Sequence, residues 1–456
     1  MEAIDRLKEI VGKDFVFTSP EETLLYGRDG GSTPPRRVDA VVIPGSVEEV
    51  QEIVKFASKN NIPVTPAGAG LTLNGLTIPL HGGIVVDMRR MNRILEVNRL
   101  SRYVVLEAGV TQGFLLSYLK ENHPDLMHSI PEAPPTATVV GNLLIKGHGT
   151  QAFYGENSDM INGLEVVLPT GELLYTGSLS VSKYWFTKGP LPDLTGLFIS
   201  WFGTTGIVTK ASLRLFPRPA YRDSVMFMMD QPEYIPELIY EITATRLFDN
   251  IGMLGQDLPE YLKGHQFVGA MISGNYEEEI KLKKEIISRV AEKFGGKVLL
   301  IPEIPDSIKK RFMEEPPFAA VAADFRKGGG FQYCGAMIPL EKVPEAWRKG
   351  EEIAHKYGFY FSCANQVLAF GHEVMFGFNY SFNRADPEEV ERVGEAMKET
   401  NDLVLSLEGI PWKADFYAQQ RILAKMFPET YRLIQKIRKT LDPAGIMNPG
   451  NWEKEE

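Results

Sequence analysis

The chain has only two cysteines among its 456 residues, Cys334 and Cys363. Two thiols cannot hold an iron–sulfur cluster by themselves, and no disulfide framework is indicated. Long apolar runs are missing too. No stretch approaches the ~18 residues that suggest a transmembrane helix. Met1 to Leu7 is charged and amphipathic, without the apolar core of a signal peptide. A cytoplasmic protein with no transmembrane segment is the expectation. Lys and Arg form no conspicuous cluster in a chain of net charge −10, so nucleic acid is not an expected partner. Two nucleotide fingerprints are absent as well. The turn after Val64 fails G-x-G-x-x-G because Leu73 stands at the third glycine, and the residues after the loop read as a strand instead of a helix. No G-x-x-x-x-G-K-[ST] occurs near it. A doubly wound NAD fold and an ATP-binding P-loop both lose ground.

Hydrophobic residues make up 44% of the chain, which fits a globular protein long enough for two or more domains. The most informative segment runs from Val64 to Met88. A strand from Ile62 to Thr65 enters the glycine-rich turn Pro66-Ala67-Gly68-Ala69-Gly70. A polar loop, Leu71 to Gly75, leads to a second strand at Gly83 to Asp87. Glycines at 68, 70 and 75 permit positive φ and close approach to a ligand. Successive N–H groups in such a turn can point at a phosphate, which implies a nucleotide cofactor.

The flanking segments extend this pattern. Val41 to Ser46 reads as a strand ending in an N-cap, with Glu49 three residues on and an amphipathic helix behind it. Downstream, in order, come Val104 to Val110, Pro131-Glu132 through Asn142, Tyr154-Gly155 with Asp159, Gly163 to Glu172, and Phe202 to Thr209. This ordered series resembles the FAD-linked oxidase superfamily. Its FAD-binding domain is shared by vanillyl-alcohol oxidase, 4-cresol dehydrogenase, and the glycolate oxidase and D-lactate dehydrogenase flavin subunits. The resemblance covers about residues 15–220 and returns at Leu441 to Gly450, a typical family ending.

The resemblance implies an α+β fold: a two-sheet FAD-binding domain of the vanillyl-alcohol oxidase type over 1–220, an antiparallel-sheet cap domain over 221–425, and a segment over 426–456 that returns to the FAD domain. The residue pattern of the middle region agrees. Strand candidates at Ser224 to Met229, Gln266 to Ile272, Lys297 to Ile301, Gly330 to Ile338 and Met375 to Phe382 alternate with amphipathic helices, among them Glu277 to Phe294 and Pro387 to Leu407. A further helix is expected at Tyr431 to Leu441.

Carrying the family motifs over implies FAD, held by four stretches. Pro66, Gly68, Ala69, Gly70, Leu71, Thr72 and Gly75 fall at the pyrophosphate. Pro131, Glu132, Thr138, Gly141, Asn142, Gly147, His148, Gly149 and Thr150 form the second stretch. Tyr154, Gly155 and Asp159 form the third, and Gly206, Ile207 and Val208 the fourth. Asn448 belongs to the closing motif. Some relatives link the flavin covalently through a cap-domain His or Tyr. Met375 matches the linking His, His372 lies three residues earlier, and Tyr380 is a conceivable linker that also reads as a packing residue. Non-covalent FAD is the expectation.

The chemistry implied is hydride transfer from an alcohol or benzylic carbon, of an aromatic or apolar substrate, to flavin N5. The acidic residue near N5 matches Glu132, also readable as a turn carboxylate. Trp412-Lys413 stands where phenol-oxidising relatives carry Tyr-Arg, so Lys413 offers a positive charge and Trp412 a stacking surface. His372 is a candidate general base or a structural His. The hydroxyacid branch keeps a set of three His. Here only His372 survives, with Glu408 nearby, and such a metal site would be under-ligated. Gly328 to Cys334 reads as a glycine-rich strand entry, and Arg326 and Lys327 as a charge pair near it. Three alternatives stay open: a glycolate- or D-lactate-type dehydrogenase, a non-redox flavoprotein resembling alkylglycerone-phosphate synthase, and a flavin subunit that docks an electron carrier. An acceptor of iron–sulfur, cytochrome or electron-transfer flavoprotein type fits the first and last. Homo-oligomerisation is not decided by the sequence.

Overall fold

The computed structural model describes residues 2–257, 266–299 and 328–455. Arg326 and Lys327 lie outside the described residues. Around the glycine-rich turn the chain builds a small mixed sheet. Ala40–Val42, Ile84–Asp87 and Val64–Ala67 run parallel, and Val16–Phe17 adds an antiparallel edge. Parallel neighbours need a crossover, which Val47–Asn60 supplies, burying Val50, Ile53, Val54 and Ala57 at helical spacing. Ser46 caps this helix: its Oγ accepts from Glu49 N at 3.3 Å. The reciprocal half of the expected capping box differs, because the Glu49 carboxylate accepts from Gly45 N at 2.7 Å, one residue before the cap.

A second, antiparallel sheet has the order Ile94–Asn98, Tyr103–Glu107, Ile207–Arg214, Ile161–Val167, Leu173–Tyr175. Leu126–Met127 pairs separately with Phe216–Pro217. Val86, Leu106, Val166 and Ala211 meet in one core between the two sheets. The C-terminal residues Ile446 and Met447 join the same core. Val64 N donates to Ile446 O at 2.7 Å, and Asn448 N to Val64 O at 2.8 Å. The tail thus braces the strand that carries the glycine turn.

The middle of the chain forms an eight-stranded antiparallel sheet. Its central strands are Asn250–Gln256, Ser362–Leu368, Glu373–Asn383 and Gly329–Ile338, with the short strand Ile410–Trp412 at the edge. Strand alternation decides what each side sees. Along Glu373–Asn383, Phe376, Phe378, Tyr380 and Phe382 pack with Val343, Trp347, Val393 and Val404 of the covering helices Val343–Lys356 and Pro387–Ser406. Met375 and Asn379, on the other face, line a cavity against the two-sheet region. The expected helices run Glu277–Lys293 and Pro387–Ser406, and the C-terminal helix starts earlier than expected, with Pro428 in its first turn. Two central strands escape sequence reading. Asn250–Gln256 is broken by Gly252 and Gly255. Ser362–Leu368 holds Asn365 and Gln366 amid small residues.

Candidate functional site

The space between the cap sheet and the two-sheet region is one cleft with two chambers, of about 1150 Å³ and about 1490 Å³ counting their mouths. Gly70, Leu71, Ala133, Asn142 and Lys413 line both chambers.

The first chamber is walled by Pro66 to Thr72, by Thr138, Gly141 and Asn142, and by Gly206, Ile207 and Val208. Among the described residues, the amides of Ala69, Gly70 and Leu71 donate to no other protein group. Gly70 has φ +68°, and a Cβ built on it would meet nothing within 4 Å. It would project into the chamber. Gly68 differs, because its Cβ would lie 2.5 Å from Thr138 Oγ1. Thr72 Oγ1 is buried without a partner. Unspent donors, a backbone open to close approach and an orphaned hydroxyl make a cradle for a phosphate-bearing ligand.

The second chamber lies under the cap sheet. Pro131, Glu132, His148, Gly149 and Thr150 line it from one side, and Tyr333, Met375, Trp412 and Lys413 from the other. Gly335 and Gly377 form a floor because a Cβ on either would lie 2.7 Å or less from the Tyr333 ring. The phenol lies flat there, with its hydroxyl 2.7 Å from Met375 Sδ. Trp412 Nε1 donates to Ile145 O, and its ring sits 5.1 Å from the His148 ring. Burial lowers the His148 pKa to about 4, against the pull of Glu132, so the imidazole is neutral at pH 7. Its Nε2 is buried without a partner.

Lys413 is held by its backbone. Its φ is +52°, and its carbonyl accepts from Asn74 Nδ2 at 2.9 Å. The ammonium lies 4.2 Å from the Trp412 ring centre and 5.6 Å from that of Tyr333. Desolvation lowers its pKa to about 8, and no acidic side chain among the described residues offsets this.

Several expected site residues lie outside the cleft. Gly75 faces Thr33, and its N–H donates to Asp29 Oδ2 at 2.8 Å. Gly147 backs onto the Asn142 side chain. Gly155 turns over Asp159, whose carboxylate accepts from Glu156 N at 3.0 Å, while Tyr154 stacks on Phe216 near the surface. Asn448 is buried behind the glycine turn, donating to Phe202 O at 2.6 Å. Two catalytic candidates are corrected. His372 is exposed beyond the turn before strand Glu373–Asn383 and does not line the cleft. Tyr380 points to the helix side, 1% exposed, with its hydroxyl 2.7 Å from Thr400 Oγ1. Met375 does line the second chamber, and it is neither His nor Tyr. The one group of potential metal ligands among the described residues, Asp257, Glu351 and His355, lines neither chamber. Sequence reasoning missed the cap asparagines Asn250, Asn365 and Asn379, and Gln366. Their only signal was polar side chains inside otherwise apolar strands.

Residues 38–177 match the FAD binding domain family, and residues 270–452 match the C-terminal domain of FAD linked oxidases. The chain belongs to the FAD-linked oxidases. The glycolate oxidase subunit GlcD of Bacillus subtilis is 24% identical over 98% of this chain and 95% of its own. The 4-cresol dehydrogenase flavoprotein subunit of Pseudomonas putida is 22% identical over 98% of this chain and 94% of its own. The structure of p-cresol methylhydroxylase with substrate bound superposes with a TM-score of 0.84 at 21% identity, covering 100% of this chain and 96% of that one. That likeness establishes the fold. This FAD-linked oxidase is therefore an FAD-dependent oxidoreductase, and the two-chambered cleft fits the cofactor. The first chamber offers a pyrophosphate its unspent amides, and the second has room for a flat ring system beside the cap.

Gly70→Leu should fold at a strain cost of about 1 kcal/mol for φ +68°, since a Cβ there meets no protein atom within 4 Å, yet weaken FAD binding by about tenfold or more. Equilibrium dialysis of the apoprotein against FAD checks this. Unchanged occupancy would make Gly70 a plain turn residue.

Proposed function

We propose that this enzyme oxidises an aromatic or other apolar alcohol or benzylic substrate in the second chamber. The observation that carries this reading is the Lys413 ammonium. It sits at the junction of the two chambers with aromatic side chains around it and no acidic neighbour offsetting its desolvation among the described residues. Such a group favours a substrate oxygen that gains negative charge as the reaction proceeds. Bound FAD supplies the two-electron acceptor for the hydride that leaves the substrate carbon. Lys413 would hold the substrate oxygen, and Trp412 and Tyr333 would flank an aromatic ring. Glu132, at the exposed rim of the chamber, would accept the hydroxyl proton as the C–H bond breaks. His148, neutral and next to Trp412, would hydrogen-bond without adding charge. The amides of residues 69–71 would take the pyrophosphate. Lys413 would equally attract a carboxylate, and one relative is named for glycolate, so a hydroxy-acid substrate is the competing reading.

Anaerobic mixing with 4-hydroxybenzyl alcohol, 4-ethylphenol, glycolate and D-lactate separates the two by loss of the visible flavin band. Bleaching by the aromatic compounds is expected. Bleaching by the hydroxy acids alone would overturn the proposal. Glu132→Gln and Lys413→Met should each slow reduction by about 10²-fold with FAD content kept. Rates within threefold of the parent in both variants would remove these residues from the chemistry.

Reduction should also depend on pH. Lys413 carries its charge below a pKa of about 8 and loses it above. The limiting rate should therefore fall as pH rises through about 8, and Lys413→Met should lack that limb. A parent profile that stays flat from pH 6 to 9.5 would show that the charge is not used.

The flavin is held without a covalent bond in this reading, because Met375 takes the linking position and Tyr380 is turned into the helix-side core. Acid precipitation should leave the yellow colour in the supernatant. Colour that stays with the pellet would contradict it.

A further inference from the structure

Strand pairing draws one straight row of residues across the cap sheet. Leu254 pairs with Ala364, Ala364 with Gly377, Gly377 with Gly335, and Gly335 with Trp412. Their chain neighbours Met253, Cys363, Phe376, Phe378 and Cys334 lie in the helix-side core, so alternation turns the row toward the cleft. Adjacent strands stand about 4.8 Å apart, so the four steps from Trp412 to Leu254 span about 19 Å. The row is low in its middle. Gly335 and Gly377 have no side chain, and the Tyr333 ring lies over both. Ala364 adds a single methyl and lines the second chamber together with Gly252 and Leu254. At the far end Leu254 packs with an apolar cluster of Met226, Phe267 and Met271.

This end of the chamber lies away from the junction through which a cofactor ring would enter. Lys413 lines both chambers, whereas Gly252, Leu254 and Ala364 line only the second. It also carries no charge. Among the described residues Glu132 and Lys413 are the charged groups lining the second chamber, and neither stands on these strands. Gln366, two residues along from Ala364 on the same face, is already committed. Its Nε2 donates to Gly149 O at 2.9 Å and to Asn250 Oδ1 at 2.8 Å. An ionic group placed there would lose water and gain no partner, whereas an apolar group would gain by burial. Methionine adapts to irregular apolar shapes. We propose that the substrate carries an uncharged apolar arm, running from its reacting end near Trp412 and Lys413 across Ala364 to Leu254. The substrate is then an aromatic compound with an extended side chain, not a small ring or a short hydroxy acid. This rests on the reading that the second chamber receives the substrate.

Four phenols test it: 4-ethylphenol, 4-butylphenol, 4-hexylphenol and 5-(4-hydroxyphenyl)pentanoate, whose arm ends in a carboxylate. Dissociation constants for the FAD-loaded enzyme come from perturbation or reduction of the flavin absorbance without oxygen. Affinity should rise about tenfold for every two methylenes, so the hexyl compound should bind about 10²-fold more tightly than the ethyl one. The carboxylate compound should bind no more tightly than 4-ethylphenol. Ala364→Phe places a ring in the path of the arm, and the hexyl-to-ethyl ratio should fall below about tenfold. Ala364→Leu gives the same measurement with less bulk should the phenylalanine variant fail to load FAD. A ratio is read, so a general loss of affinity cancels. Equal binding of the ethyl and hexyl compounds to the parent, a carboxylate arm bound as tightly as the hexyl arm, or a ratio unchanged by the Ala364 substitution would each overturn the proposal. Failure of the oxidation reading is distinguishable. A chain-length preference with no flavin reduction by any of the four would sink that reading and keep the arm. Reduction without the preference would do the reverse.

Discussion

Everything at this site depends on a seam of polar contacts that fastens the glycine turn to the cap sheet. Gln332, on the cap strand, donates through Nε2 to Asn74 Oδ1 at 2.6 Å. Asn74 in turn donates to the Lys413 carbonyl at 2.9 Å. The other end of Gln332 accepts from Ser32 N at 2.7 Å, and Asp29 accepts from Gly31 N and Gly75 N, both at 2.8 Å. Arg384 closes the circuit by donating to Asp29 O at 2.7 Å. Each bond adds only about 1 kcal/mol net, but leaving one buried partner unmatched costs about 1–3 kcal/mol. The two halves of the cleft are thus held in register by matching, not by area alone. Asn74 is the hinge of this matching. One side chain fixes the far end of the phosphate-loop segment and the backbone of Lys413, the one cation among the described residues that lines both chambers.

The seam also explains the fate of two glycines. Gly70 and Gly75 belong to the same loop, and both have positive φ. From sequence they look equivalent. In the fold Gly75 gives its N–H to Asp29 and its α-face to Thr33, so it serves the seam. Gly70 gives neither away and faces the cleft. The family motif marks both positions because both conformations are needed, for different reasons. Asn448 follows the same logic. Its place in the closing motif reflects a buried amide that ties the tail to Phe202 and Thr65 behind the turn.

The phosphate turn and its neighbours were legible because glycine spacing, helix capping and alternating strands are local signals. The cap site was less legible because its residues meet only through sheet pairing. Tyr380 and Asn379 are adjacent in sequence, yet strand alternation sends one to the helix-side core and the other to the wall of the second chamber. Deciding which goes where needs the register with Gly329–Ile338, in which Tyr333 pairs with Asn379. His372 attracted a catalytic reading because it is the one histidine kept from the hydroxyacid branch's set and can act as a base. It falls in a turn with left-handed residues at Ala369 and Phe370, which carries the side chain out to solvent. Asn250 gave only the faint sign of a polar residue inside an apolar strand, which acquires meaning only when the strands become neighbours.

The electrostatic character of the second chamber follows from what surrounds Lys413. Placing a carboxylate against a desolvated ammonium would have been the ordinary way to lower its cost. The fold instead surrounds it with two aromatic faces, a neutral imidazole and uncharged amides, and keeps Glu132 at the rim. Aromatic faces stabilise a cation only partly, and the lowered pKa records the remainder. A pocket built this way holds its charge in reserve for an incoming or developing negative charge.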